Sequence, residues 1–286
     1  VGLTSKTVCI VGLGLMGGSL ALALREAQQT PRRILAVSRK LEVLAAARSA
    51  GAIDAGTSDL AEGTADADVI VLATPVRAIL GMLPRVGKSA RAGALVMDLG
   101  SSKAQICAAM DELPQGLQPI GGHPMCGKEL AGFGAADAGL YRGRPFVLCA
   151  LPRTAPQALR DAADLARAVG ADPVMLDPVV HDRAVAGISH LPYAAAAALI
   201  GCVAAANDPV AWSLASSGLR DTTRLAASDV EMMLDILLTN RQPVVDWLER
   251  YAGHLDRLRS ALASGDEARL RQTLTAARGI RAELNA

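Results

Sequence analysis

The 286-residue chain has a formal net charge of +1, with 51% apolar residues but only 2% aromatic ones. That length suits about two domains, and near-neutrality without a long basic run excludes nucleic acid as the main partner, leaving a small-molecule ligand. Cys9, Cys107, Cys126, Cys149 and Cys202 are scattered and lack C-x-x-C spacing; this predicts a reducing, cytoplasmic location with neither a disulfide framework nor a metal site.

Thr7 to Val11 reads as a short apolar strand running into Gly12-x-Gly14-x-x-Gly17 and then an Ala/Leu-rich helix. Strand, glycines and helix in this order predict a dinucleotide site. Gly12 permits the tight turn, Gly14 lets a pyrophosphate approach the backbone, and Gly17 lets helix and strand pack closely. Leu15 and Met16, in the first helical turn, join the candidate nucleotide contacts, because free N–H groups there favour phosphate. An apolar opening of this kind is a strand and no signal peptide.

A second strand, Ile34 to Val37, ends at Ser38, Arg39 and Lys40. NAD-binding versions of this motif place an Asp or Glu there for the ribose 2′-OH. A hydroxyl and a guanidinium suit a 2′-phosphate instead, so NADP is the expected cofactor. The following helix should stop at Gly51. "ADVIVLATP" is a continuous apolar strand whose end adds Thr74 and Pro75 to the candidate cofactor contacts, and "GALVMDLGS" is another strand. "LQPIGGHPM", "RPFVLCA" and a segment around Val174 extend the series, with "PQALRDAADLARAVG" a helix before the last. Throughout-apolar strands alternating with helices predict an α/β fold, a Rossmann-type doubly wound and mainly parallel sheet.

Beyond "LDPVVHD" the strand signals cease. Asp177 followed by Pro178 predicts an N-cap with proline in the first turn, Pro192 interrupts the helical pattern, "SSGLRDTT" is a loop, and Asp229 caps a further helix. The boundary falls near residue 176, giving a dinucleotide-binding domain over 1–176 and a helical substrate and dimerisation domain over 177–286. "LPYAAAAALIGCVAAAN" falls short of ~18 strongly apolar residues and reads as a buried helix at a subunit interface, with no membrane partner.

Ligands of open α/β sheets lie outside the carboxyl ends of the strands. Two motifs fall there, "DLGSSK" with Ser101 and "GGHPMCGKE" with His123 and Glu129. His123, between two glycines and a proline, sits in a crowded loop and is the best candidate base. Activity should then decline as pH drops through ~6.5, the ordinary histidine value. Cys126 reads as a small pocket-lining thiol, His254 as solvated, and His181 and His190 flank the start of the helical half. Arg220 and Arg224, four residues apart, offer one guanidinium to the cleft for a planar carboxylate.

Together "GLGLMGGS", "DLGSSK", "GGHPMCGKE", "HDRAVAGISHLP" and "GLRDTTRLAASD" resemble the prephenate/arogenate dehydrogenase family, in order and at near-family spacing, over nearly the whole chain. The resemblance implies oxidative decarboxylation of a cyclohexadienyl substrate, arogenate or prephenate, in tyrosine biosynthesis, without a metal. It implies that His123 accepts the substrate hydroxyl proton, that Ser101 hydrogen-bonds beside it, and that Arg224 binds the side-chain carboxylate. Glu129 would lie at the mouth of the site, with Asp182 and His190 lining or organising the cleft. Tyr193 stands where some members carry a second histidine, and the helical half would form an intertwined homodimer. Competing readings are a 4-amino-4-deoxyprephenate or β-hydroxyacid dehydrogenase, and a non-catalytic NADPH-sensing protein. A β-hydroxyacid dehydrogenase should use a lysine in the helical half, and no lysine follows Lys128.

Overall fold

The computed structural model describes residues 2–128 and 130–284. Its strands are β1 (Thr7–Val11), β2 (Arg33–Val37), β3 (Ala55–Thr57), β4 (Val69–Leu72), β5 (Leu95–Asp98), β6 (Gln118–Pro124), β7 (Pro145–Ala150) and β8 (Asp172–Met175). Helices α1 (Leu15–Glu26), α2 (Leu41–Ser49), α3 (Leu60–Ala65), α4 (Val76–Ser89), α5 (Ala104–Asp111) and α6 (Pro156–Ala168) alternate with them. One sheet results, in the order β3-β2-β1-β4-β5-β6-β7-β8. Every pairing is parallel except that of β6 with β7. This is the expected Rossmann-type sheet, with its order reversing between β1 and β4, where such folds take their ligands.

The apolar runs have a simple cause. Successive side chains of a strand point to opposite faces, and both faces here are covered. Val8 and Ile10 of β1 pack with Leu20 and Leu24 of α1 and Leu165 of α6. Cys9 and Val11 pack on the other face with Ile79 and Leu83 of α4 and Ile106 of α5. With no solvent face, β1, β4 and β5 are buried at every residue.

After β8 the elements of the described residues are helices: α7 (Pro178–Val185), α8 (Leu191–Ala205), α9 (Pro209–Ser213), α10 (Ser217–Thr223) and α11 (Val230–Thr239), then α12 (Arg241–Ser264) and α13 (Glu267–Glu283). Asp177 caps α7 by accepting from Val179 and Val180 N–H, and Asp229 caps α11 by accepting from Met232 N–H. By contacts, residues 1–240 make one compact unit and 241–286, the α12–α13 pair, another.

Three expectations about this part need correction. "SSGLRDTT" is largely the helix α10 rather than a loop. Pro192 does not interrupt the chain: Ala186–His190 widen to π-helical geometry, with Leu191 N–H bonding to Ala186 C=O. That bulge accommodates the proline's missing donor and bulky ring without ending the helix. Residues 178–205 therefore run as one 28-residue helix of mean hydropathy 1.6 in its most apolar window, long and apolar enough by length and composition to cross a membrane. Within a single chain α8 is fully covered only at Ala196.

Candidate active site

The glycine turn has the geometry its sequence requires. Gly12 adopts φ +97°, a conformation that favours glycine. A Cβ on Gly17 would stand 1.9 Å from the Gly12 carbonyl oxygen, so helix and turn meet only through glycine. At Gly14, the N-cap of α1, a Cβ would meet nothing within 4 Å, which leaves the open approach that a phosphate needs. Thr74 stands against Gly12, and its buried Oγ1 has no hydrogen-bond partner in the protein. An orphaned hydroxyl beside an open helix N-terminus fits a bound dinucleotide, which would satisfy both. Leu15 and Met16 are half-buried in the first turn of α1, where Met16 C=O accepts from Tyr141 OH at 2.6 Å, and Pro75 is the exposed N-cap of α4. At the end of β2, Ser38 Oγ accepts from Lys40 N–H at 3.2 Å, and the Arg39 and Lys40 side chains are exposed.

The chemistry-bearing groups gather at the carboxyl ends of the neighbouring strands β5 and β6. Asp98 and Lys103 are fully buried and form an ion pair. Asp98 Oδ1 accepts from Gly122 N–H at 3.0 Å, and Lys103 Nζ donates to Gly122 C=O at 2.8 Å. The pair thus grips both polar groups of the residue before His123. Burial pushes the Asp98 carboxyl up, opposed by Lys103 and the Gly122 and Gly100 N–H groups. Ser101 is half-buried in the turn after β5, and Ser102 Oγ meets Thr239 Oγ1 at 2.8 Å. Thr239 already donates to Asp235 C=O, so Ser102 is the donor.

His123 lies on β6 and not, as the sequence suggested, in a loop. Its Nδ1 is 2.8 Å from His181 Nε2, and His181 Nδ1 is 2.8 Å from Asp182 Oδ1. Asp182 accepts in addition from Lys103 N–H (2.6 Å) and Ala104 N–H (2.8 Å), capping α5. Asn240 Nδ2 donates to Asp182 C=O at 2.7 Å and lies 3.1 Å from His190 Nδ1. An amide nitrogen only donates, so His190 accepts at Nδ1 and carries its proton on Nε2.

The electrostatics correct one expectation. Burial, then His181, Lys103 and His190, hold the His123 imidazole well below its ordinary 6.5, so the acid limb of activity should lie lower than that value. Burial likewise takes His190 down to about 4, although Asp182 acts against the fall. Both rings are therefore neutral at pH 7. Burial pushes the Cys126 thiol up to about 11, so it is no ready nucleophile.

Of the other expected site residues, Arg224 opens an exposed 3₁₀ turn that packs on α8, and Tyr193 is half-buried on α8. Glu129 lies outside the described residues. His254 is exposed on α12, as expected. Sequence reasoning left Asp98, Lys103, Thr239 and Asn240 without roles. Lys103 lay inside a quoted motif, but Asn240, at the end of an apolar helix, gave no signal that it would be buried.

Comparison with known proteins bears on the same site. Residues 20–175 match the prephenate dehydrogenase nucleotide-binding domain, and residues 177–276 match the prephenate dehydrogenase dimerization domain. The chain is 32% identical over 264 residues to a Bacillus subtilis prephenate dehydrogenase, covering 91% of this chain and 71% of that one. It is 31% identical to a Zymomonas mobilis cyclohexadienyl dehydrogenase, covering 91% and 90%. Among solved structures, the Aquifex aeolicus prephenate dehydrogenase in complex with hydroxyphenyl propionate and NAD+ superposes with a TM-score of 0.92 at 28% identity, covering 99% and 100%. The Synechocystis arogenate dehydrogenase superposes at 0.83 with 32% identity, covering 97% and 99%.

Proposed function

The chain belongs to the prephenate dehydrogenase family, and from that premise we propose that it oxidatively decarboxylates arogenate or prephenate, with NADP as its cofactor. One observation supports this reading above the others. His123 is a neutral, half-buried imidazole at the carboxyl end of β6, with Nδ1 tied to His181. A general base needs this state: unprotonated at working pH and oriented.

In this reading the Nε2 of His123 takes the proton of the substrate hydroxyl, and Ser101 holds that hydroxyl by a hydrogen bond. Arg224 binds the side-chain carboxylate, while His190, Asp182, Tyr193 and Glu129 shape the cleft. A nicotinamide held by the glycine turn would supply the hydride acceptor. Loss of the ring carboxylate as CO₂ then leaves an aromatic product. Gly12, Gly14, Leu15, Met16, Gly17, Thr74 and Pro75 would hold the nucleotide, and Ser38, Arg39 and Lys40 its 2′-phosphate.

The work divides between residues 1–176 and 177–286. A second copy of the chain would cover the alanine-rich α8, whose exposed apolar face and match to a dimerization domain support a homodimer. Five scattered cysteines support a cytoplasmic location.

Steady-state kinetics with both substrates and both nucleotides test this reading. Turnover should require NADP and should fall by about 10²–10⁴ in His123→Asn with KM little changed. Arg39→Ala should weaken NADP by about 1.5–3 kcal/mol and leave NAD nearly unaffected. Equal use of NAD and NADP by the unaltered enzyme would refute the cofactor assignment, and near-normal turnover of His123→Asn would refute the base.

A further inference from the structure

The row Asp182, His181, His123 has a direction that its hydrogen-bonding chemistry determines. Both Asp182 oxygens accept backbone N–H groups at the start of α5, at 2.6 and 2.8 Å. Two backbone donors thus meet the two oxygens of one carboxylate, and carboxylate oxygens accept. His181, 1% exposed, must therefore donate from Nδ1 across its 2.8 Å contact to Asp182. With Nδ1 donating, His181 turns its Nε2 toward His123 Nδ1, 2.8 Å away. The His123 proton belongs on Nδ1, and its Nε2 is the bare nitrogen.

We propose that His181 and Asp182 are positioning residues that lock His123 in its Nδ1–H tautomer and so present Nε2 as the base. This rests on the reading of His123 as the base. Without an acceptor at His181, either ring nitrogen of His123 could carry the proton, and half of the choices would leave no base. The logic is that of a carboxylate orienting a catalytic histidine, lengthened by one imidazole.

The row also acts during the reaction. When Nε2 of His123 takes the hydroxyl proton, the new imidazolium keeps its Nδ1–H bond to His181 Nε2, and His181 passes the attraction of the Asp182 charge through its own Nδ1–H. Other groups face the same ring. Lys103, from the turn after β5, and His190, beside α8, both disfavour its protonation. Asp98 is engaged by Lys103. Asp182 is the carboxylate that reaches His123 through a hydrogen-bonded row.

With only four histidines in the chain, ¹⁵N-histidine labelling and long-range ¹H–¹⁵N correlation of the ring protons read the tautomers directly in the intact protein. Loss of a peak set in His123→Asn assigns the ring. At pH 8 His123 should show a protonated Nδ1 and a bare Nε2, with His181 neutral and protonated on Nδ1. In His181→Leu the preference should vanish and kcat should fall on the order of 10²-fold or more, with KM changed little. His181→Gln, whose side-chain oxygen can accept from Nδ1–H, should restore much of the loss.

An imidazolium at His181 facing an Nε2–H tautomer of His123 would overturn the proposal, and the spectrum of the unaltered protein decides this without any variant having to fold. So would a His181→Leu enzyme with normal kcat and an unchanged His123 tautomer. If His123→Asn kept full activity while the tautomers were as described, the base assignment would fail and the positioning would stand.

Discussion

Replacing Lys103 by Met isolates the buried clamp that holds the strand residue before the base. The substitution keeps most of the side-chain volume and removes the ammonium. Asp98, 0% exposed, then loses its counter-ion, and Gly122 C=O loses a 2.8 Å donor. Breaking a buried ion pair by removing one partner costs about 3–5 kcal/mol, because a charge is left without compensation. Asp98→Asn with Lys103→Met removes that charge. Its amide oxygen can still accept from one of the two backbone N–H groups that Asp98 serves, those of Gly100 and Gly122, and the other is left unpaired at about 1–3 kcal/mol. The double variant should therefore be more stable than Lys103→Met alone. Urea unfolding at one fixed protein concentration reads the difference, the concentration being held because association shifts the midpoint. Lys103 also helps hold the His123 imidazole down, so the acid limb of kcat should move up toward 6.5 in Lys103→Met. A single variant within about 1 kcal/mol of the unaltered protein, or a double variant less stable than the single, would refute the reasoning.

The glycine turn separates binding from folding. Gly14→Ala should leave the unfolding midpoint within about 0.5 kcal/mol while weakening NADP in a calorimetric titration, since the added methyl meets only the space kept for phosphate. Gly17→Ala, 1.9 Å from the Gly12 carbonyl oxygen, should instead lower stability by about 1–3 kcal/mol or more. His190 makes folding sensitive to acid. Its folded value of about 4 lies below the ordinary 6.5, so its contribution is intact above about 6.5 and is lost as pH falls through about 4. The full window amounts to about 3 kcal/mol. The drop in urea midpoint from neutral pH to about pH 4 should be smaller in His190→Gln, and an unchanged drop would count against a neutral buried His190.

What could be read in advance was what neighbours in the chain decide. Strand, glycine turn and helix from Thr7 to Glu26 lie within about six turns' worth of chain, and their glycines answer to contacts among themselves. Asp177 and Asp229 could be placed as caps because a cap bonds two or three residues ahead. His123 and Ser101 could be placed at a strand end because a parallel sheet sends its carboxyl ends to one edge. Where local rules misled, a longer-range accommodation had prevailed. Pro192 signals a helix break, yet the π-helical turn before it lets the helix continue.

The sequence by itself determined a doubly wound sheet, a dinucleotide turn and a histidine at the carboxyl edge, since periodicity, glycine sterics and chain order act over a few residues. Only the tertiary structure decided the state of that histidine. His181 stands 58 residues from His123 along the chain and 2.8 Å from it in space. Asn240 reaches back 58 residues to the Asp182 carbonyl, and Lys103 and Asp98 grip Gly122 across the neighbouring strand. Burial is a property of everything packed around a group, and it is burial that makes His123 and His190 neutral. Charge, tautomer and basicity are consequences of enclosure and partners, which the fold assembles from segments that carry no mark of one another.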